Sequence, residues 1–450
     1  MATIAPFRGI LYNSQMINDL SQVVTPPYDV ISPQEQEGYY ALHPYNIIRL
    51  DFGKNFPSDT VEDNRYTRAA HILKIWEKEQ ILIQDPAPAL YLYKIRYRMF
   101  GEEWRTRSGF IARLGLEPLN AGSVRPHEMT FSAFKQDRFQ LLQHCRMQFC
   151  PIFSFYLDQD NRVISHLSQQ APAAPFINFI DQASIHHQLW RINDPEAIKQ
   201  VQALFSEKTV YIADGHHRYE TSLAFQAEAA KKYSSLPPES PFNYTLMFLC
   251  PMEDPGLTIF PVHRAMNRVR ELEPEDLENK LTPYFKVEKL PFNVQNKKQV
   301  IRDLLSRLET REKDGHLFGL YLAQTSWFYL LSLKKEALAG DWADDLHPLL
   351  RDLDVMILSR LLFQKILGVR REDLDQENMI EYRHDPLQTL KLVESGQSRI
   401  GFFLSSTPVE QVRRVAEASL VMPRKSTYFY PKTLTGLVMN PVDSDDPSLS

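Results

Sequence analysis

The chain has 450 residues, 43% hydrophobic and 24% charged, with a net charge of −5, enough chain for two or three domains around a large core. The mildly acidic balance lacks the basic surface that a nucleic-acid partner needs, and no run of about 18 apolar residues offers a membrane span. Cys145, Cys150 and Cys250 form no metal or redox motif, and Met1 to Ile10 lacks a basic-then-apolar leader, so a cytoplasmic protein is expected.

In chain order, the first region covers residues 1–120. It opens on a turn, Thr25-Pro26-Pro27-Tyr28-Asp29, and a helix follows over Arg65 to Gln80 with Ala69, Ile72, Leu73 and Trp76 at helical spacing. Strands are expected over Leu90 to Phe100 and Arg107 to Leu114, which are rich in aromatic and branched residues. Asp29 and Arg49 either line a pocket or simply end a turn and a strand. The second region, residues 121–270, carries Val124-Arg125-Pro126-His127-Glu128-Met129-Thr130 and then Lys135, Asp137 and Arg138, which read as a solvated helix face. His186 and His187 have no Cys or carboxylate at metal-ligand spacing and read as loop residues. The third region, residues 271–441, alternates helical patterns (Lys297 to Glu312, Leu349 to Leu367) with strand-like runs (His316 to Leu322, Ser326 to Leu333, Ile400 to Leu404). Residues 442–450 read as a flexible tail. Segregated and alternating elements together favour an α+β fold.

Three stretches carry candidate chemistry. In Tyr211-Ile212-Ala213-Asp214-Gly215-His216-His217-Arg218-Tyr219 a short apolar strand meets a glycine, and a helix opens over Tyr219 to Lys232. That order builds an anion site: glycine admits close backbone approach, first-turn N–H groups point at the anion, and Arg218 adds a fork of donors. Asp214 either caps the helix or holds a divalent cation. His216 falls in line with Tyr219, Leu223, Ala227 and Ala230 and leans on the core. His217 lies about 100° round the helix and is freer to meet a ligand.

His127 and Glu128 form an acid/base pair behind Pro126. Glu128 can take a proton from an attacking hydroxyl, although a plain helix start explains the pair as well. In Met422 to Lys432, Lys425, Ser426 and Thr427 offer donors to phosphate oxygens, and the aromatics offer a stacking surface or a packed loop. The Walker, Rossmann, zincin and nucleophile-elbow motifs are absent, so any nucleotide uses a less common cradle.

Four of these segments, Pro26 to Ser32, Pro126 to Thr130, Tyr211 to Glu220 and Met422 to Lys432, resemble the family called domain of unknown function 1015. A shorter resemblance links Pro126-His127-Glu128, Pro151-Ile152 and Ile212 to Arg218 to the ParB/sulfiredoxin-like fold, most closely to its free-serine kinases. That resemblance implies a ParB/sulfiredoxin-like central core with added N-terminal and C-terminal α/β regions. It implies Glu128 as the base on the serine hydroxyl, with His127 beside it. It makes Asp214 the metal or phosphate-site carboxylate, and Gly215, His216, His217 and Arg218 the phosphate cradle. The function it implies is phosphate transfer from ATP or ADP, with Mg²⁺, to a hydroxyl amino acid, L-serine first. A nucleotide-binding switch and a metal-dependent phosphohydrolase are the alternatives. Glu128 and Asp214 lie farther apart in sequence than in the compact kinases, so an insertion is expected between them.

Overall fold

The computed structural model describes residues 2–99, 103–119, 122–128, 132–233, 236–267, 273–310, 315–374 and 379–442. The chain mixes helices and strands in two compact units. Met1–Pro126, Thr130–Thr258 and Pro431–Ser450 form the first; His127–Met129 and Ile259–Tyr430 form the second.

The first unit is built on a mixed sheet. Val124–Arg125, Val210–Asp214, Ile152–Tyr156, Tyr244–Pro251, Trp104–Gly115, Leu90–Arg98, His186–Ile192 and Ile177–Ile180 lie side by side in that order, and Ile4–Ala5 pairs with Trp104–Gly115. Val210–Asp214 runs parallel to Val124–Arg125 and antiparallel to Ile152–Tyr156. The boundary expected near residue 120 is no break in this sheet, because Phe110 pairs with Leu249 in register. Alternation along the strands sends Leu90, Leu92, Phe110, Ala112 and Leu114 to one face. There they pack on Val163 and Leu167 of helix Arg162–Gln170 and on Val201 and Phe205 of helix Pro195–Phe205. Tyr91, Tyr93, Tyr97 and Arg107 alternate onto the other face, also buried. Helix Ser132–Cys145 packs on both Arg65–Lys78 and His216–Lys232. In Arg65–Lys78 the buried positions are Ala69, Leu73 and Trp76, three of the four read from periodicity.

Two expectations for this unit are overturned. His186 and His187 are strand residues, and His187 is fully buried: Tyr93 Oη lies 2.6 Å from its Nδ1 and Asp181 Oδ2 3.1 Å from its Nε2. Val442, assigned to the flexible tail, is buried with Leu142, Phe225 and Phe242, and its N–H donates to Arg146 O; residues 443–450 lie outside the described residues.

The second unit holds an antiparallel sheet in the order Phe285–Pro291, Trp327–Leu333, Leu317–Leu322, Ile400–Phe403, His263–Met266, Ile380–Arg383. Ile301, Leu304 and Leu308 of helix Lys297–Glu309, with Leu390 and Val393 of Pro386–Glu394, cover one face. The single helix expected over Leu349 to Leu367 is three pieces. Pro348–Arg351 and Asp354–Met356 are short turns, and Ile357–Ile366 is wound wide, with the Leu367 N–H reaching Leu362 O. Asp352 and Leu353 interrupt the pattern with non-helical backbone.

Candidate active site

The glycine turn of the first unit is assembled from local rules. Val210–Asp214 is an apolar strand at the edge of the core, and it slips register between Ile212 and Asp214, which oppose Ser154 and Phe153. Two steps on one strand against one on its neighbour make a bulge at Ala213, which re-aims Asp214. Gly215 then takes φ +100° and ψ 29°, a left-handed backbone that side chains disfavour. The helix starts at His216, three residues before the expected Tyr219, and runs to Lys232. Gly215 occupies the N-cap position and has no side chain to cap with, and the first-turn N–H groups of a helix point out along its axis at such an end.

Arg218 folds back across the turn. A Cβ on Gly215 would sit 2.8 Å from Arg218 Nε and Nη2. Arg218 Nη2 donates to Asp214 Oδ2 at 3.0 Å, and Nη1 donates to Pro151 O at 2.6 Å beside Cys150 Sγ. Burial disfavours its charge, but Cys150, Asp214, Asp29 and Tyr28 outweigh burial and hold its pKa above the ordinary arginine value. Asp214 Oδ1 accepts from Lys432 Nζ at 3.0 Å. Asp214 is therefore bracketed by two cations, with all three side chains largely buried. Besides the cap or cation roles read from the sequence, its two oxygens serve Arg218 and Lys432. His216 is buried, as its alignment with Tyr219 implied, and His217 is half-buried.

The face read as solvated is a buried ion network. Arg138 is 6% exposed; its Nη1 donates to Asp51 O and Oδ1 at 2.9 and 3.0 Å, and its Nε to Asp137 Oδ2 at 2.7 Å. Its guanidinium lies 3.9 Å over the Tyr28 ring. Arg65 pairs with the other oxygen of Asp137. Burial pushes the Asp51 carboxyl up against the pull of Arg138 and Arg218. For Asp137 the cost of burial is overcome by Arg138 and Arg65, and its pKa falls. A small cavity next to the turn is lined by Asp51, Arg138, Gln148, Cys150, Arg218 and Ser222. Tyr28 of the Pro-Pro-Tyr-Asp turn thus reaches the same cluster, while Asp29 stays exposed and Arg49 stacks on Tyr40. Sequence reasoning missed this cluster because Asp51 and Arg65 lie more than 70 residues from Asp137 and Arg138; Lys432 lay in a noted segment but was not singled out.

In the second unit the other named residues meet. His127 is fully buried, its Nε2 3.3 Å from Thr427 Oγ1, and its carbonyl accepts from the Met422 N–H. Glu128 bridges to Met422, and its Oε1 accepts from the Ser426 N–H at 3.2 Å. Lys425 sits at φ +53°, and its carbonyl accepts from Arg264 Nη2 at 3.2 Å. Burial depresses Arg264 to about 10, against the opposing pull of Tyr382, Glu128 and Asp354. Lys425, Ser426 and Thr427 thus belong with His127 and Glu128, whereas Asp214, Gly215, His216, His217 and Arg218 belong with Lys432.

The donor set does not fit a divalent cation held by protein alone. Asp214's oxygens are each paired with a cation, and among the described residues no three His, Cys, Asp or Glu groups come together as a metal site. The three cysteines are free and buried, and no described helix is long and apolar enough to cross a membrane.

Among solved structures the chain is similar to a conserved hypothetical protein from Pyrococcus furiosus, at 12% identity and TM-score 0.32, covering 69% of this chain and 90% of that one. It is similar to a free serine kinase in complex with AMP at 9% identity and TM-score 0.33, covering 70% and 93%. It is similar to SbnI with C-terminal truncation from Staphylococcus aureus at 10% identity and TM-score 0.35, covering 75% and 90%. Likenesses this distant fix neither activity nor ligand. No curated protein matches the chain. The family model described as "Protein of unknown function (DUF1015)" matches residues 4–356, a span that holds Tyr28, Glu128 and the glycine turn and stops short of Lys432. On that match the chain belongs to the DUF1015 family.

Proposed function

We propose that this protein is a small-molecule kinase that transfers phosphate from ATP or ADP to a hydroxyl amino acid, L-serine being the first acceptor to test. The observation that carries the reading is the turn at Gly215. A left-handed glycine opens a 17-residue helix, and Arg218 and Lys432 flank the single carboxylate of Asp214. Two cations against one carboxylate leave the trio at +1, and the helix start adds partial positive charge. Nucleotide phosphate oxygens are the matching ligand. His217, half-buried in the first turn, is the nearer of the two histidines to such a ligand; His216 supports the turn from the core.

Glu128 is the proposed base. The acceptor hydroxyl oxygen attacks the terminal phosphorus, the new O–P bond forms, the bond to the leaving nucleotide oxygen breaks, and the hydroxyl proton passes to Glu128. The Ser426 N–H on Oε1 helps to orient the carboxylate. Because no three His, Cys, Asp or Glu groups among the described residues come together as a cation site, Mg²⁺ belongs in this proposal with the nucleotide phosphates, and no step depends on it. The same engagement of Asp214 counts against a metal-dependent phosphohydrolase.

The test is phosphoserine formation by the purified protein with ATP or ADP, Mg²⁺ and L-serine. Glu128→Gln should lower turnover by roughly 10²–10⁴-fold while leaving nucleotide affinity intact. Nucleotide binding with no transfer to any hydroxyl amino acid would leave a non-catalytic nucleotide-binding protein in its place.

A further inference from the structure

Arg107 is among the largest fully buried side chains of the described residues, and its Nε, Nη1 and Nη2 have no hydrogen-bond partner among them. A buried guanidinium with five unmet donors is strongly destabilising, so a structure that keeps one has a use for it. The neighbours that could satisfy it are committed elsewhere. Tyr93 Oη is 2.6 Å from His187 Nδ1. Tyr97 Oη donates to Gly256 O at 3.0 Å and lies 2.6 Å from Thr258 Oγ1. Asp254 spends one oxygen on the Ser108 N–H and the other on the Gly256 N–H. Cys250 is buried and burial pushes its thiol well up, so it stays neutral.

The contacts that do hold Arg107 are aromatic. Its guanidinium carbon lies 4.6 Å from the Phe153 ring centroid and 5.5 Å from that of Phe248. Aromatic faces stabilise the charge but accept nothing from the planar N–H rim. The loop wall is built to the same end: a Cβ on Gly256 would sit 2.4 Å from Arg107 N, so only glycine lets that loop lie against the strand. Burial lowers the Arg107 pKa, with Cys250, Tyr93, Tyr97 and Asp254 opposing it only in part.

The position matters as well. Phe153 is the cross-strand partner of Asp214. The ring that Arg107 reaches therefore stands on the strand next to the one that ends in the glycine turn.

We propose that Arg107 is an oxyanion-binding residue whose N–H rim receives a carboxylate or phosphate group beside the Phe153 and Phe248 rings. The fork geometry matches two oxygens of one planar anion. Two sources carry that chemistry: a free inorganic oxyanion, or the α-carboxylate of an amino-acid acceptor. Only the second rests on the kinase reading.

The test needs no turnover. Thermal unfolding of the full chain is followed while phosphate or acetate replaces chloride at constant ionic strength, and separately with L-serine or ethanolamine. Wild type should gain roughly 1–3 °C per tenfold of the bound anion above its dissociation constant. Arg107→Met should keep only the general stabilising effect of phosphate and lose the response beyond it, and Arg107→Lys should keep a weaker response. A response to L-serine that ethanolamine lacks assigns the site to the acceptor carboxylate; a response to phosphate or acetate alone assigns it to a free oxyanion. The proposal is overturned if wild type responds to none of these ligands, or if Arg107→Met responds as wild type does. If the Met variant does not fold, the wild-type titration still decides. None of these readouts uses ATP, so a negative kinase assay and a negative anion titration remain separate results.

Discussion

Replacing Gly215 by alanine tests the central claim about the turn, that Arg218 lies across a glycine because nothing else fits there. Two costs arise. Alanine at φ +100° is strained by about 1–2 kcal/mol. Its Cβ would also lie 2.8–2.9 Å from Arg218 Nε, Nη2 and Cζ, too close for any of them to stay. Moving the guanidinium breaks its bonds to Asp214 and Pro151 inside a largely buried site. Disrupting one partner of such a pair costs about 3–5 kcal/mol, and Lys432 remains to moderate the loss, so about 3 kcal/mol is a fair expectation for this part. The sum for Gly215→Ala is about 4–5 kcal/mol. In an Arg218→Ala background the second part is already gone, and Gly215→Ala should cost only about 1–2 kcal/mol. Urea unfolding of the four proteins, followed by far-UV circular dichroism, measures the cycle. Equal costs of Gly215→Ala in both backgrounds would refute the steric argument and free Arg218 from the role given to it here.

Lys432→Met should weaken ADP binding by about tenfold, since it removes one of the two cations beside Asp214; calorimetry measures it, and an unchanged affinity would separate Lys432 from the phosphate site. Arg138→Ala should destabilise by about 3–5 kcal/mol by stranding Asp51 and Asp137, whereas Arg138→Met with Asp51→Asn should recover part of that, as read by the denaturation midpoint. His263, buried beside Arg264 and His384, has its pKa pushed down from 6.5 to about 3, chiefly by burial. The folded state therefore favours the neutral ring, and its stabilising contribution is complete above pH 6.5 and declines as pH falls toward 3. The slope is about 1.4 kcal/mol per pH unit, and His263→Gln should flatten it.

Local rules written in the sequence were sufficient for much of this chain. The spacing of Ala69, Leu73 and Trp76 gave a real helix face. The aromatic-rich runs around Leu90 and Arg107 are adjacent strands, and the glycine between Asp214 and His216 is the left-handed hinge that a strand-to-helix turn demands. Such features are encoded within a few residues of themselves, through steric limits on the backbone and the period of side-chain exposure. Charge did not obey that reasoning. Asp137 and Arg138 have the composition of a wetted helix face, yet they are buried, because Asp51 and Arg65 arrive from remote segments to satisfy them. His187 likewise reads as a loop residue until Tyr93 and Asp181 are folded onto it. Lys432 becomes a partner of Asp214 only because a segment 218 positions later returns to the first unit. Hydrophobic periodicity is a property of one element and can be read along it. The fate of a charged side chain depends on which opposite charge the fold brings within about 3 Å, and only the tertiary structure decides that.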